Sequence, residues 1–131
     1  MAAMPEDLTG IWDGVFTYPG KRLPDTPFRA ELVQRGGSFT GEIAEPDLYA
    51  RGRSAVATVV GVVSGGSVDF TKTYRRAAMG YENPVDYVGQ LSPDGDTVTG
   101  VWSLCDMNGL FEMTRRRRAA TGETWQASVE A

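Results

Sequence analysis

A chain of 131 residues with 41% apolar and 23% charged residues has the length of one domain and the composition of a globular one. That leaves no room for a second domain and argues against a disordered chain. A formal charge of -4 opposes a nucleic-acid partner, whose phosphates draw affinity from excess positive charge, and the absence of histidine removes Ser-His-Asp and Cys-His nucleophile systems, histidine zinc sites and histidine-ligated haem.

Met1 to Asp7 carry neither a basic nor an apolar signal region, and the single cysteine, Cys105, cannot close an internal disulfide. Both features predict a cytoplasmic protein.

From Gly10 onward apolar residues recur with a period of two rather than 3.6, which predicts strands and few helices. Eight strands are expected at about 10–18, 27–34, 38–45, 53–64, 67–75, 85–92, 97–104 and 110–116. Arg35-Gly36-Gly37, Gly65-Gly66 and Pro93-Asp94-Gly95-Asp96 read as tight hairpin turns. The connections over 19–26, 46–52 and 76–84 are longer, and a shorter loop spans 105–109. Tight and long connections therefore alternate, and in a meander they fall at opposite ends, one pinched and one open. The fold class is all-β: a single eight-stranded antiparallel up-and-down β-barrel over residues 8–116, with an N-terminal extension at 1–7 and a C-terminal tail at 117–131.

One phase of the alternation carries Trp12, Phe16, Tyr18, Phe28, Ile43, Glu45, Phe70, Lys72, Tyr74, Tyr87, Trp102, Phe111 and Arg115, and is expected to face inward. The other carries Asp13, Arg29, Glu31, Thr40, Glu42, Asp69, Asp86, Gln90 and Glu112, a wet outer surface that is the reverse of a membrane-spanning barrel. No membrane span is expected. The fourth strand, Ala55 to Val63, is apolar on both faces and shows no phase, so its outer face calls for a cover, either the tail around Trp125 or a second copy of the chain in a homodimer.

Leu8-Thr9-Gly10-Ile11-Trp12 resembles the Gly-x-Trp opening of the calycin group, which includes lipocalins, fatty-acid-binding proteins and avidins, and Arg115 resembles that group's late-strand arginine. The resemblance covers the strand order from Leu8 to Arg116. It implies a calycin-like barrel in which Trp12 and Arg115 close the pinched end through a cation-π contact. No functional signature follows: the avidin-like opening lacks the polar first-strand residues, and 19–26 is too short for the two helices of a fatty-acid-binding protein.

The candidate ligand-binding residues are Tyr18, Glu45, Lys72, Tyr74, Tyr87, Trp102 and Phe111. A lysine turned into an apolar interior needs a partner or water, and Glu45 is the candidate partner. The first reading is a binding module for a small, largely apolar or weakly acidic ligand in the barrel. The second is a non-catalytic interaction barrel with a filled core, and the third an isomerase or cyclase using Lys72 and Tyr74. No catalytic residue is assigned, and neither metal nor cofactor is expected. Asp106-Met107-Asn108-Gly109 lacks calcium-loop spacing, and the basic run Arg115 to Arg118 stands alone in an acidic chain.

Overall fold

The computed structural model describes residues 7–21, 23–46, 52, 54–75 and 83–116. Strands β1 (Gly10–Phe16), β2 (Thr26–Arg35), β3 (Ser38–Pro46), β4 (Ser54–Ser64), β5 (Ser67–Tyr74), β6 (Val85–Leu91), β7 (Thr97–Leu104) and β8 (Met107–Arg115) pair antiparallel in chain order. β8 closes on β1 through the pairs Trp12↔Arg115 and Phe16↔Phe111, so the sheet is an eight-stranded closed barrel with no free edge. A short 3-10 turn over Pro19–Lys21 follows β1. Among the described residues no helix is long and apolar enough to cross a membrane.

Burial alternates residue by residue along the strands because successive side chains leave opposite faces. β4 does have a phase: Ala55, Ala57, Val59, Gly61 and Val63 are buried, whereas Val60 and Val62 are exposed. Hydropathy hides this alternation because valine stands on both faces. Size reveals it, since a Cβ on Gly61 would meet the Phe39 ring, the Cβ of Phe70 and the Asp69 carbonyl oxygen. Gly100 serves a different end. A side chain there would overlap the Val88 carbonyl oxygen across the ladder, so its absence lets β6 and β7 coil closely enough to close the barrel.

The turns at Gly36-Gly37, Gly65-Gly66 and Ser92 to Asp96 lie at one end, where the chain also enters β1 and leaves β8. There the Arg115 guanidinium lies 4.6 Å from the centre of the buried Trp12 ring. It donates to the carbonyls of Thr9 (3.1 Å), Asp7 (2.8 Å) and Gly95 (2.9 Å), with Asp96 3.5 Å from its Nε. The indole N–H of Trp12 donates 2.9 Å to the Leu8 carbonyl. One side chain thus ties the N-terminal approach, the β6–β7 turn and the last strand over a single ring.

The alternation of tight and long connections fails at its last member. β8 begins at Met107, not Leu110, and Leu104 pairs with Met107 across a two-residue turn at Cys105-Asp106. Asn108 and Gly109 continue the ladder because a bare Gly109 admits the Trp102 indole and the Thr17 carbonyl at that position. β1 likewise stops at Phe16, leaving Tyr18 half-buried just past its end. Of the long connections at the open end, residues 47–51, 53 and 76–82 lie outside the described residues, as do Arg117, Arg118 and the tail with Trp125. Arg116 pairs with Asp13 of β1 through both carboxylate oxygens, at 2.6 and 2.9 Å.

Candidate binding site at the open end

Glu45, next to last on β3, and Lys72 and Tyr74, near the end of β5, are separated by β4. Opposite Glu45 and Tyr74 that strand contributes Ala55 and Ala57, whose small side chains leave the space above them open. Glu45 uses it. One carboxylate oxygen accepts from Lys72 Nζ at 2.9 Å and the other from the Tyr74 hydroxyl at 2.7 Å. The Lys72 and Glu45 side chains are 1% and 3% exposed, so the lysine does not reach solvent by extending toward the mouth.

The rest of the ammonium faces rings. Lys72 Nζ lies 4.6 Å from the centre of Phe16, 4.7 Å from Tyr74 and 5.3 Å from Tyr87, all within cation-π range. Phe16 was absent from the candidate set. Its inward phase and its place at the end of β1 were the signals that could have found it. Tyr18 stands edge-on to Phe16 at 5.5 Å and to Trp102 at 5.6 Å, and Trp102 donates its indole N–H 2.8 Å to the Thr17 carbonyl. Phe111 lies below this group, edge-on to Tyr87 at 4.9 Å and to Phe70 at 6.0 Å. Tyr87 stacks on Phe70 at 4.6 Å. The structure therefore gathers Glu45, Lys72, Tyr74 and Tyr87 around one ion pair and sets Tyr18 and Trp102 against Phe16 beside it. Trp12 and Arg115 are at the other end of the barrel.

Burial pulls the Lys72 amine below the ordinary lysine range, and the adjacent Glu45 carboxylate pulls it back up. Burial, then the same carboxylate, drives the Tyr74 and Tyr87 phenols far above theirs, so both stay protonated at neutral pH. The cluster carries one positive and one negative charge, no net charge, and an aromatic lining.

Two concavities flank the barrel wall. A depression of about 360 Å³ at the open rim is lined mainly by the exposed residues Pro27, Arg29, Ala44, Pro46 and Ser54, with Phe28 and Glu45 between them. A groove of about 470 Å³ crosses the outside of β1, β8 and β7, between Val15, Val101 and Leu110.

No protein-family model and no curated protein matches the sequence. Solved structures match the fold. A redesigned β-barrel aligns with a TM-score of 0.70 at 14% identity, over 89% of this chain and 100% of its own. The redesigned β-barrel mFAP1, bound to DFHBI, aligns at 0.64 and 13%, over 83% of this chain and 94% of its own. A low-affinity mutant of shwanavidin aligns at 0.55 and 13%, over 87% and 100%. At such identities the likeness is one of fold: the chain is a calycin-like eight-stranded barrel.

Proposed function

We propose that the protein is a cytoplasmic binding module for a small, largely apolar ligand held at the open end of the barrel. The observation that carries this reading is the buried Glu45–Lys72–Tyr74 group inside an aromatic lining. A barrel meant only to be solid gains little from such a group, because apolar side chains of similar volume are commonly as stabilising or more so than a buried ion pair. Tyr18 and Tyr74, half-buried at the rim, are the rings an incoming molecule meets first; Phe16, Tyr87 and Trp102 form the wall behind them, with Phe111 supporting Tyr87. That mFAP1 is bound to DFHBI supports the reading, since that barrel shares the fold.

Tryptophan-fluorescence titration with a panel of aliphatic and aromatic compounds tests it. Saturable quenching that disappears in Trp102→Phe is expected. No saturable binding by any member of the panel overturns the proposal.

A second reading, a barrel that pairs with a copy of itself, is favoured by the exposure of Val60 (62%) and Val62 (54%) on the outer face of β4, with exposed Val33 two strands away. Light scattering after gel filtration tests it: a dimer that Val60→Lys dissociates supports it, and a monomer at high concentration rejects it. An isomerase or cyclase reading would require Lys72 and Tyr74 to part from the carboxylate both now bind.

A further inference from the structure

We infer that the polar end of the ligand is an uncharged hydrogen-bond acceptor, such as a ketone or amide carbonyl, and that the site rejects carboxylates. The inference rests on the binding reading above and narrows it to a chemical class. It departs from the simplest expectation for an inward lysine, which is capture of an acid.

The charge count at the open end decides the matter. Lys72 is the one cation buried there among the described residues, and Glu45 is already bound to it at 2.9 Å with almost no solvent contact. An arriving carboxylate has two options. It can remain beside Glu45 as a second anion served by one ammonium, or it can displace Glu45 and leave a buried carboxylate held by the Tyr74 hydroxyl alone. Each strands a negative charge in an apolar, ring-lined space, a costly result because the low local dielectric strengthens the repulsion.

A neutral acceptor meets no such obstacle. Lysine has three N–H donors, and Glu45 engages one. The buried Tyr87 side chain turns toward the same group, with Lys72 Nζ 5.3 Å from its ring centre. A carbonyl oxygen placed there would accept from Tyr87 while leaving the ion pair intact. The choice of residue agrees with this assignment. Of 13 basic residues in the chain just two, Lys21 and Lys72, are lysines, and arginine, with its planar fork, is the better partner for a carboxylate. The inward position at the open end holds the compact ammonium instead.

The test uses the full-length protein and two near-isosteric probes, 2-acetylnaphthalene and 2-naphthoate, titrated by calorimetry. At pH 7.5 the ketone is expected to bind at least about 100-fold more tightly than the carboxylate, the scale of a buried uncompensated charge. Between pH 7.5 and 5.5 naphthoate affinity should rise about tenfold per pH unit, because its neutral acid is the form admitted, while ketone affinity stays flat. In Glu45→Gln the preference should invert, since Lys72 then lacks its carboxylate. If that variant does not fold, the pH dependence of the wild type decides the question alone. Equal or tighter binding of naphthoate at pH 7.5 overturns the inference and leaves the binding reading standing. If both probes and the wider panel fail to bind, the binding reading falls, and this inference with it.

Discussion

Lys72 and Glu45 form an ion pair 2.9 Å long whose two side chains are all but sealed from water, bridged over the alanines of the strand between them. Such a pair is sensitive to losing one partner and tolerant of losing both. Lys72→Met should destabilise the barrel by about 3 to 5 kcal/mol, because it leaves the Glu45 carboxylate buried with one hydrogen bond. Adding Glu45→Gln to that variant should restore most of the loss. Urea unfolding of the two single variants and the double one gives the coupling directly; a Lys72→Met loss below about 1 kcal/mol would show that water reaches the carboxylate.

At the opposite end, Trp12→Ala should cost about 3 to 5 kcal/mol as the truncation of a large, fully buried ring. Arg115→Lys is the more informative change. It keeps the charge and a weaker cation-π contact, but a single ammonium cannot reach the Asp7, Thr9 and Gly95 carbonyls together as the planar guanidinium does. A loss of about 1 to 3 kcal/mol is expected from the unmade hydrogen bonds. Chemical denaturation checks it, and a loss as small as that of an exposed surface substitution would mean that the ring contact alone closes this end.

The barrel was legible in the sequence because its inner and outer faces differ sharply in polarity along most strands: Phe28, Ala30 and Leu32 against Arg29 and Glu31 is a pattern only a period of two can sort. Where polarity failed to alternate, at β4, the phase was lost, although bulk carried part of it, with Ala55, Ala57 and Gly61 inside against Val56, Val60 and Val62 on the other face. The inward phase placed Lys72 and Glu45 on inner faces. Their contact was less readable, because it depends on Ala55 and Ala57 leaving the intervening strand low enough to cross. The β7–β8 turn was misread for a similar reason: Asn108 and Gly109 have loop character, yet Gly109 belongs to the ladder because Trp102 needs its empty side.

That turn stores a correctable strain. Cys105 has φ of +54°, a left-handed conformation that a Cβ opposes, and it is the first of only two residues linking Leu104 to Met107. Cys105→Gly should raise stability by about 0.5 to 1 kcal/mol, the relief of that opposition less the greater freedom glycine has when unfolded. Thermal unfolding should show a rise of a few degrees. No gain would place the turn's geometry under the control of its flanking pairs rather than of Cys105.

The buried phenols set the response to alkali. Burial and the Glu45 carboxylate hold Tyr74 and Tyr87 protonated in the folded chain well above pH 10.0, near which they ionise once exposed by unfolding. Above that pH the unfolded chain binds fewer protons than the folded one, so stability must fall as pH rises; below it the two states bind equally, and these groups contribute no slope. Lys72 acts with the opposite sign, since burial lowers its amine and favours folding as pH climbs toward 10.5. That contribution ends once the unfolded lysine is also neutral, which leaves the tyrosines to dominate at about pH 11 and beyond. There each should withdraw about 1.4 kcal/mol per pH unit. Tyr87→Phe should roughly halve the slope while preserving the stack on Phe70, because the ring remains and only the ionisable hydroxyl is gone. Urea unfolding between pH 9 and 12 measures both slopes, and an unchanged slope in Tyr87→Phe would mean that its phenol ionises as readily inside the barrel as outside.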